Sequence, residues 1–130
     1  MSELRCVVVT PERTEVDVTA VSVTLPLIDG EIGILKNHSP LVGRLGFGVL
    51  KIKDAAGATP NYFVEGGFVQ VANNVVSVLT DRVVLRTAVT SVAADQAMRD
   101  AVEMPRSSSD QTAARDRAFA RARAMQRIAK

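Results

Sequence analysis

Fifteen consecutive residues, Leu27-Ile28-Asp29-Gly30-Glu31-Ile32-Gly33-Ile34-Leu35-Lys36-Asn37-His38-Ser39-Pro40-Leu41, constrain this chain more tightly than any other stretch. Asp29-Gly30 is a turn signal, because glycine accepts positive φ without steric cost and aspartate can hydrogen-bond its own backbone. Gly33 interrupts an apolar strand-like run, where a missing side chain predicts a bulge or a close backbone approach. Pro40 pushes Ser39 into extended geometry, so His38 is expected in a loop with a fixed exit direction. The segment holds no catalytic triad, metal cage or phosphate loop. It reads as a loop built to present a shape to a partner.

Up to about residue 88 the pattern is strand. Val16, Val18 and Ala20 alternate with polar residues, and so do Val21, Val23 and Leu25, but the apolar parity flips between Ala20 and Val21. Such a slip predicts a bulge that lets one long strand serve two faces. Further strands are expected at 4–9, 31–35, 47–53, 61–65, 68–72, 75–80 and 83–87, with turns at Asp54–Gly57, Gly66-Gly67 and Asn73-Asn74. The fold expected for residues 1–88 is an antiparallel β-sandwich of about eight to ten strands.

Residues 89–130 switch to a helical period. Ala94, Ala97, Met98 and Ala101 share one stripe, with Ser91 as the expected N-cap and Asp95 four residues before Arg99. Pro105 ends this helix near Met104. Ser108-x-x-Gln111 offers a capping box for a second helix running to about Ala129, with Ala118, Ala122, Met125 and Ala129 on one stripe beside Phe119 and Ile128. Both stripes are mainly alanine, so closing this C-terminal helical hairpin gains only a few kcal/mol at roughly 25 cal/mol per Å². Opened into one rod, residues 91–129 would span roughly 58 Å at about 1.5 Å per residue. A weakly closed hairpin that can open is a switch.

The charge is unevenly spread. The net charge is −1 over residues 1–90, −1 over 91–109 and +4 over 110–130, so the excess is a property of the tail. Arg115, Arg117, Arg121, Arg123 and Arg127 carry it. Cys6 is the only cysteine and His38 the only histidine, which leaves no internal disulfide and no multi-histidine metal site. The Val-rich surroundings of Cys6 predict a buried structural thiol rather than half of a Cys–His dyad. Gly46-x-Gly48 lacks the lysine and helix of a phosphate cradle. No catalytic residue, metal or cofactor is expected. No apolar run approaches the roughly 20 residues of a membrane span, and Met1-Ser2-Glu3-Leu4-Arg5 has no signal-peptide character. The chain is therefore expected to stay in the compartment where it was made.

These features resemble the epsilon subunit family of F-type ATP synthases. The likeness rests on Gly30-Glu31-Ile32-Gly33-Ile34 followed by His38-Ser39-Pro40-Leu41, on Gly46-Phe47-Gly48-Val49-Leu50-Lys51-Ile52, on Glu65-Gly66-Gly67-Phe68-Val69-Gln70-Val71 and on Asn74-Val75-Val76-Ser77-Val78-Leu79. The resemblance implies a non-catalytic rotor subunit of a proton-transporting enzyme, joining gamma to the c-subunit ring. Its docking loop would use Asp29, Gly30, Glu31, His38, Ser39 and Pro40. It further implies a peripheral protein on the cytoplasmic face of an energy-transducing membrane, such as a bacterial inner membrane. The helices would extend to the alpha/beta head, where the five arginines would meet an acidic loop and oppose ATP hydrolysis. Some members of the family bind ATP through a short Asp-x-x-Arg-Ala motif. Here Asp95 and Arg99 are four apart, a spacing that favours an ion pair over a nucleotide site.

A second reading stays open on composition: a β-sandwich binding module whose Arg-rich helix lies against nucleic-acid phosphates. The sandwich is slightly acidic and poor in aromatics, so the tail would act alone.

Overall fold

The computed structural model describes residues 3–58 and 60–129, so the start at Met1-Ser2 lies outside the described residues. The chain divides into two compact units between Leu85 and Arg86. The first contains seven strands: β1 (Leu4–Val9), β2 (Thr14–Leu27), β3 (Gly30–Leu35), β4 (Leu41–Asp54), β5 (Asn61–Ala72), β6 (Val75–Leu79) and β7 (Val83–Leu85).

Five of these strands close on themselves. The order β1-β6-β5-β4-β2 returns to β1 through a β1–β2 ladder, with β3 added to β2 and β7 to β5. A ring with an odd number of members cannot alternate direction all the way round, so one pair must be parallel. That pair is β1–β6, from Arg5↔Val75 to Val9↔Leu79, where antiparallel pairing was expected throughout. Closure leaves β1 without an open edge.

The long strands serve both faces of the sandwich. In β2, the early part pairs with β1 and the late part with β3 and β4, and the β4 ladder shifts register between Ala20 and Ser22. The parity flip at Ala20/Val21 is this bulge. Buried Val16 and Ala20 lie before it, and buried Val23 and Leu25 after it.

β5 departs from the pattern expected of residues 61–72. Gly66-Gly67 makes no reverse turn; the strands expected at 61–65 and 68–72 are one strand. It pairs with β4 in unbroken register from Leu41↔Val71 to Lys51↔Asn61. Gly66 and Gly67 have φ of 72° and 110°, and they bend β5 so that its first part pairs with β7 and its second with β6. This merging reduces the expected eight to ten strands to seven. The strand expected at 47–53 begins earlier, at Leu41, and the one expected at 83–87 ends at Leu85 in a 3-10 turn, Arg86–Ala88.

The core holds Leu4, Cys6 and Val8 of β1 against Ile34, Leu50, Ile52, Val64, Val69, Val71, Val76 and Val78. Each such side chain, fully removed from water, contributes on the order of 1.5–3 kcal/mol.

The second unit contains α1 (Ser91–Glu103) and α2 (Ser109–Ile128). Thr90, not Ser91, caps α1: its side chain accepts from Ala93 N at 3.1 Å. Thr90 is extended while Ser91 is already helical, which is the geometry a cap requires. Ser108 caps α2 by accepting from Gln111 N at 3.1 Å. Gln111 Oε1 reaches back to Ser107 N at 2.8 Å, one residue beyond the expected capping box. Ala94, Ala101, Ala122, Ala124 and Met125 are the buried residues of the two helices.

Candidate functional site

The strand expected at 31–35 is β3, and it gives the stretch from Leu27 to Leu41 two separate ends in place of one presenting loop. β3 separates Gly30 from His38, a length of roughly 17 Å at 3.3–3.4 Å per residue. Ile34 is buried and Ile32 half-buried, and burying that apolar row is what holds the strand on β2. Gly33 is neither bulged nor closely approached. It pairs with Thr24 in regular register, and a Cβ there would meet nothing within 4 Å.

At one end, Ile28 and Asp29 form the turn and Gly30 adopts a φ of 131°. Ile28 N donates to Arg44 O at 3.0 Å, tying this turn to β4. Glu31 stands opposite Pro26, and its Oε2 lies 3.7 Å from Lys51 Nζ. The carboxylate is exposed and already has a cation within reach.

At the other end, His38 N donates to Leu35 O at 3.2 Å, and His38 Nδ1 lies 2.7 Å from Ser39 O, which makes Nδ1 the protonated nitrogen. Ser39 and Pro40 are exposed. A shallow cleft of 370 Å³ lies between this loop and the β5–β6 turn, lined by Asn37, His38, Pro40, Asn73 and Asn74.

Beyond Pro40 the chain enters β4, and here lie residues the sequence reading missed. Val42 and Arg44 project outward from β4, Phe68 and Gln70 from β5, and Leu79 from β6. The pairings Val42↔Gln70, Arg44↔Phe68 and Phe68↔Leu79 make them one continuous face. Val42 is 76% exposed, Phe68 56% and Leu79 54%, and the Arg44 guanidinium sits 6.0 Å from the Phe68 ring centroid. The signal was present in the sequence: Phe68 is out of phase with the buried row Val69 and Val71.

In the helical unit Arg115 and Arg123 share one cleft with Asp116, Phe119 and Ala120. Arg123 and Arg127 line a cleft of 520 Å³ with Ser91, Asp95 and Gln126. Arg115 lies over the Phe119 ring at 4.6 Å and donates to Val102 O at 3.4 Å, drawing it inward. Arg117 is exposed and Arg121 half-buried. Asp95 and Arg99 share a helix face but turn to different partners. Asp95 Oδ1 accepts from Gln126 Nε2 at 3.5 Å, and Arg99 donates to Gln96 Oε1 at 2.8 Å.

Cys6 is fully buried, and burial, helped by the charge of Asp17, pushes its thiol up to about 12. Such a thiol is not a nucleophile at neutral pH. On the surface of β1 and β2, hydrogen bonding from Arg5 holds the Asp17 carboxyl below its ordinary value, and Arg13 does the same for Glu15. Among the described residues, no group of three or more His, Cys, Asp or Glu side chains could hold a metal ion. None of the described helices is long and apolar enough to cross a membrane.

In class, then, this is a self-closing β-sandwich with an apolar outer face, followed by a two-helix unit. The family model for the ATP synthase delta/epsilon chain β-sandwich domain matches residues 3–86, and the chain belongs to that family. An ATP synthase epsilon chain of Rhodopirellula baltica is 43% identical over 127 residues, covering 98% of each chain. One from Symbiobacterium thermophilum is 40% identical over 102 residues, covering 78% of this chain and 73% of its own. A chain of the Euglena gracilis mitochondrial ATP synthase superposes with a TM-score of 0.85 at 18% identity, over all of this chain and 83% of its own. A chain of the Tetrahymena thermophila mitochondrial ATP synthase central stalk and c-ring gives 0.76 at 17% identity, over 99% of this chain and 98% of its own. At those identities the likeness is one of fold.

Proposed function

We propose that this chain is the epsilon subunit of the central stalk of an F-type ATP synthase, a non-catalytic rotor piece that joins gamma to the ring of c subunits. The observation that carries this reading is the outward row Val42, Phe68 and Leu79, left uncovered on a sandwich of the delta/epsilon family. Exposed aromatic and aliphatic side chains on a rigid sheet are suited to burial against a partner. This face, with His38, Ser39 and Pro40 at its margin, takes gamma. The Asp29-Gly30-Glu31 end takes the polar loops of the c ring, where Glu31 exchanges or shares Lys51 with a partner group. Two contacts at opposite ends of one short strand give a rotor piece the lever it needs to transmit torque. The protein is peripheral, on the cytoplasmic side of the membrane that holds the ring.

The helical unit is the regulatory arm. Its alanine seam closes weakly, and its net charge of +4 over residues 110–130 favours an acidic surface of the alpha/beta head. Arg117, Arg121, Arg123 and Arg127 are the contacts, with Arg115 released from Phe119 as the arm opens.

Affinity purification of the assembled enzyme through this chain tests the rotor role: gamma and c should accompany it, and their absence would remove the reading. Truncation after residue 89 tests the arm separately. ATP hydrolysis by the assembled enzyme should rise, and unchanged hydrolysis would leave the arm with no inhibitory role.

A further inference from the structure

Asn37 and Asn74 lie 37 positions apart in sequence and hydrogen-bond to one another twice. Asn37 N donates to Asn74 Oδ1 at 2.6 Å, and Asn74 Nδ2 donates to Asn37 Oδ1 at 3.2 Å. The Asn74 carbonyl accepts a third bond, from Arg5 N at 2.8 Å, which anchors it to the start of β1. Both asparagines occupy the left-handed region, with φ of 68° and 62°. Their side chains are thus aimed across the gap between the β3–β4 loop and the β5–β6 turn. The residues that follow Asn37 are His38, Ser39 and Pro40, which lead into Val42 and Arg44 on the outward face.

We infer that Asn74 is a positioning residue for docking: through its paired amide bonds to Asn37 it holds His38-Ser39-Pro40 in line with the Val42–Phe68 face before gamma arrives. This rests on the docking reading above and assigns it a device. A loop already fixed in its bound geometry loses less freedom on association than a free one. Neither asparagine need touch the partner.

The left-handed geometry supplies a clean test. Glycine accepts a φ of 62°, so Asn74→Gly removes the latch without straining the turn. Asn74→Asp keeps the acceptor for Asn37 N, and a flipped Asn37 amide can donate to it, so this variant should restore docking. Binding of the full-length chain to gamma is measured by calorimetry for wild type, Asn74→Gly and Asn74→Asp, alongside thermal melting and amide exchange at Asn37. The expected result is affinity about tenfold weaker for Asn74→Gly, in line with ordering a few side chains on binding. Its melting temperature should fall by only a few degrees, the loss expected for one or two exposed hydrogen bonds. Asn37 exchange should be faster, and Asn74→Asp should bind within about threefold of wild type. Equal affinity of wild type and Asn74→Gly overturns the latch while leaving the docking face intact. Weakened binding in Asn74→Gly with a melting temperature lowered by more than about 10 °C also overturns it, since the role is then only structural. No binding of gamma by wild type overturns the docking reading and the latch with it.

Discussion

Gly67 lies directly against the backbone of Leu79: a Cβ at Gly67 would overlap the Leu79 carbonyl oxygen and come within 2.9 Å of Leu79 C and Thr80 Cα. With φ at 110°, the position also excludes ordinary side chains on conformational grounds. The bend in β5 and the seat of β6 therefore depend on the same missing side chain. Gly67→Ala should destabilise the protein by about 3 kcal/mol or more. Urea denaturation checks this, and a loss under about 1 kcal/mol would show that the bend relaxes without it.

The buried thiol gives the stability a defined pH dependence. The folded-state value of Cys6 lies at about 12 against an ordinary 9.0, so its contribution is complete below pH 9 and is lost as pH rises towards 12. The unfolded chain ionises first, and the loss amounts to about 4 kcal/mol at the upper limit. Cys6→Ala should flatten this alkaline decline relative to wild type, apart from a constant offset for the lost sulfur. Parallel decline of the two proteins between pH 9 and 11 would contradict it. A thiol reagent at neutral pH should leave the folded protein unmodified.

The start of α2 depends on one hydroxyl. Ser108→Ala removes the acceptor for Gln111 N and should cost about 1 kcal/mol of helix stability, while Ser108→Asp should retain most of it. Amide exchange over residues 109–113 measures this. Equal protection in all three proteins would mean that the Gln111–Ser107 bond suffices.

Much of this fold was legible because local rules left few alternatives. The slip between Ala20 and Val21 cannot be accommodated by a regular strand, so the bulge followed from parity alone. The helix boundaries followed from Ser108, Gln111 and Pro105. Gly66-Gly67 was misread because two adjacent glycines suit a hairpin turn and a strand bend equally well. What decides between them is the approach of Leu79, which no local pattern records. The parallel β1–β6 pair was hidden for the same reason, being a consequence of ring closure by distant strands. At the candidate site, the Asp29-Gly30 turn and the strand at 31–35 were legible from turn chemistry and from the alternation of Ile32 and Ile34, whereas taking the whole stretch as one presenting loop ignored that this strand holds Gly30 and His38 at opposite ends. The outward face escaped because the apolar residues of β5 look like one core run, and only the register puts Phe68 on the opposite side from Val69.

If the outward face of β4, β5 and β6 is where gamma binds, the dissociation constant of the chain for gamma must respond to Phe68→Asp. Phe68 is 56% exposed, so aspartate there should leave the melting temperature nearly unchanged. Affinity should weaken by about a hundredfold or more, as expected when a charge replaces an aromatic anchor in a buried contact. Affinity within about threefold of wild type would place gamma elsewhere on the molecule.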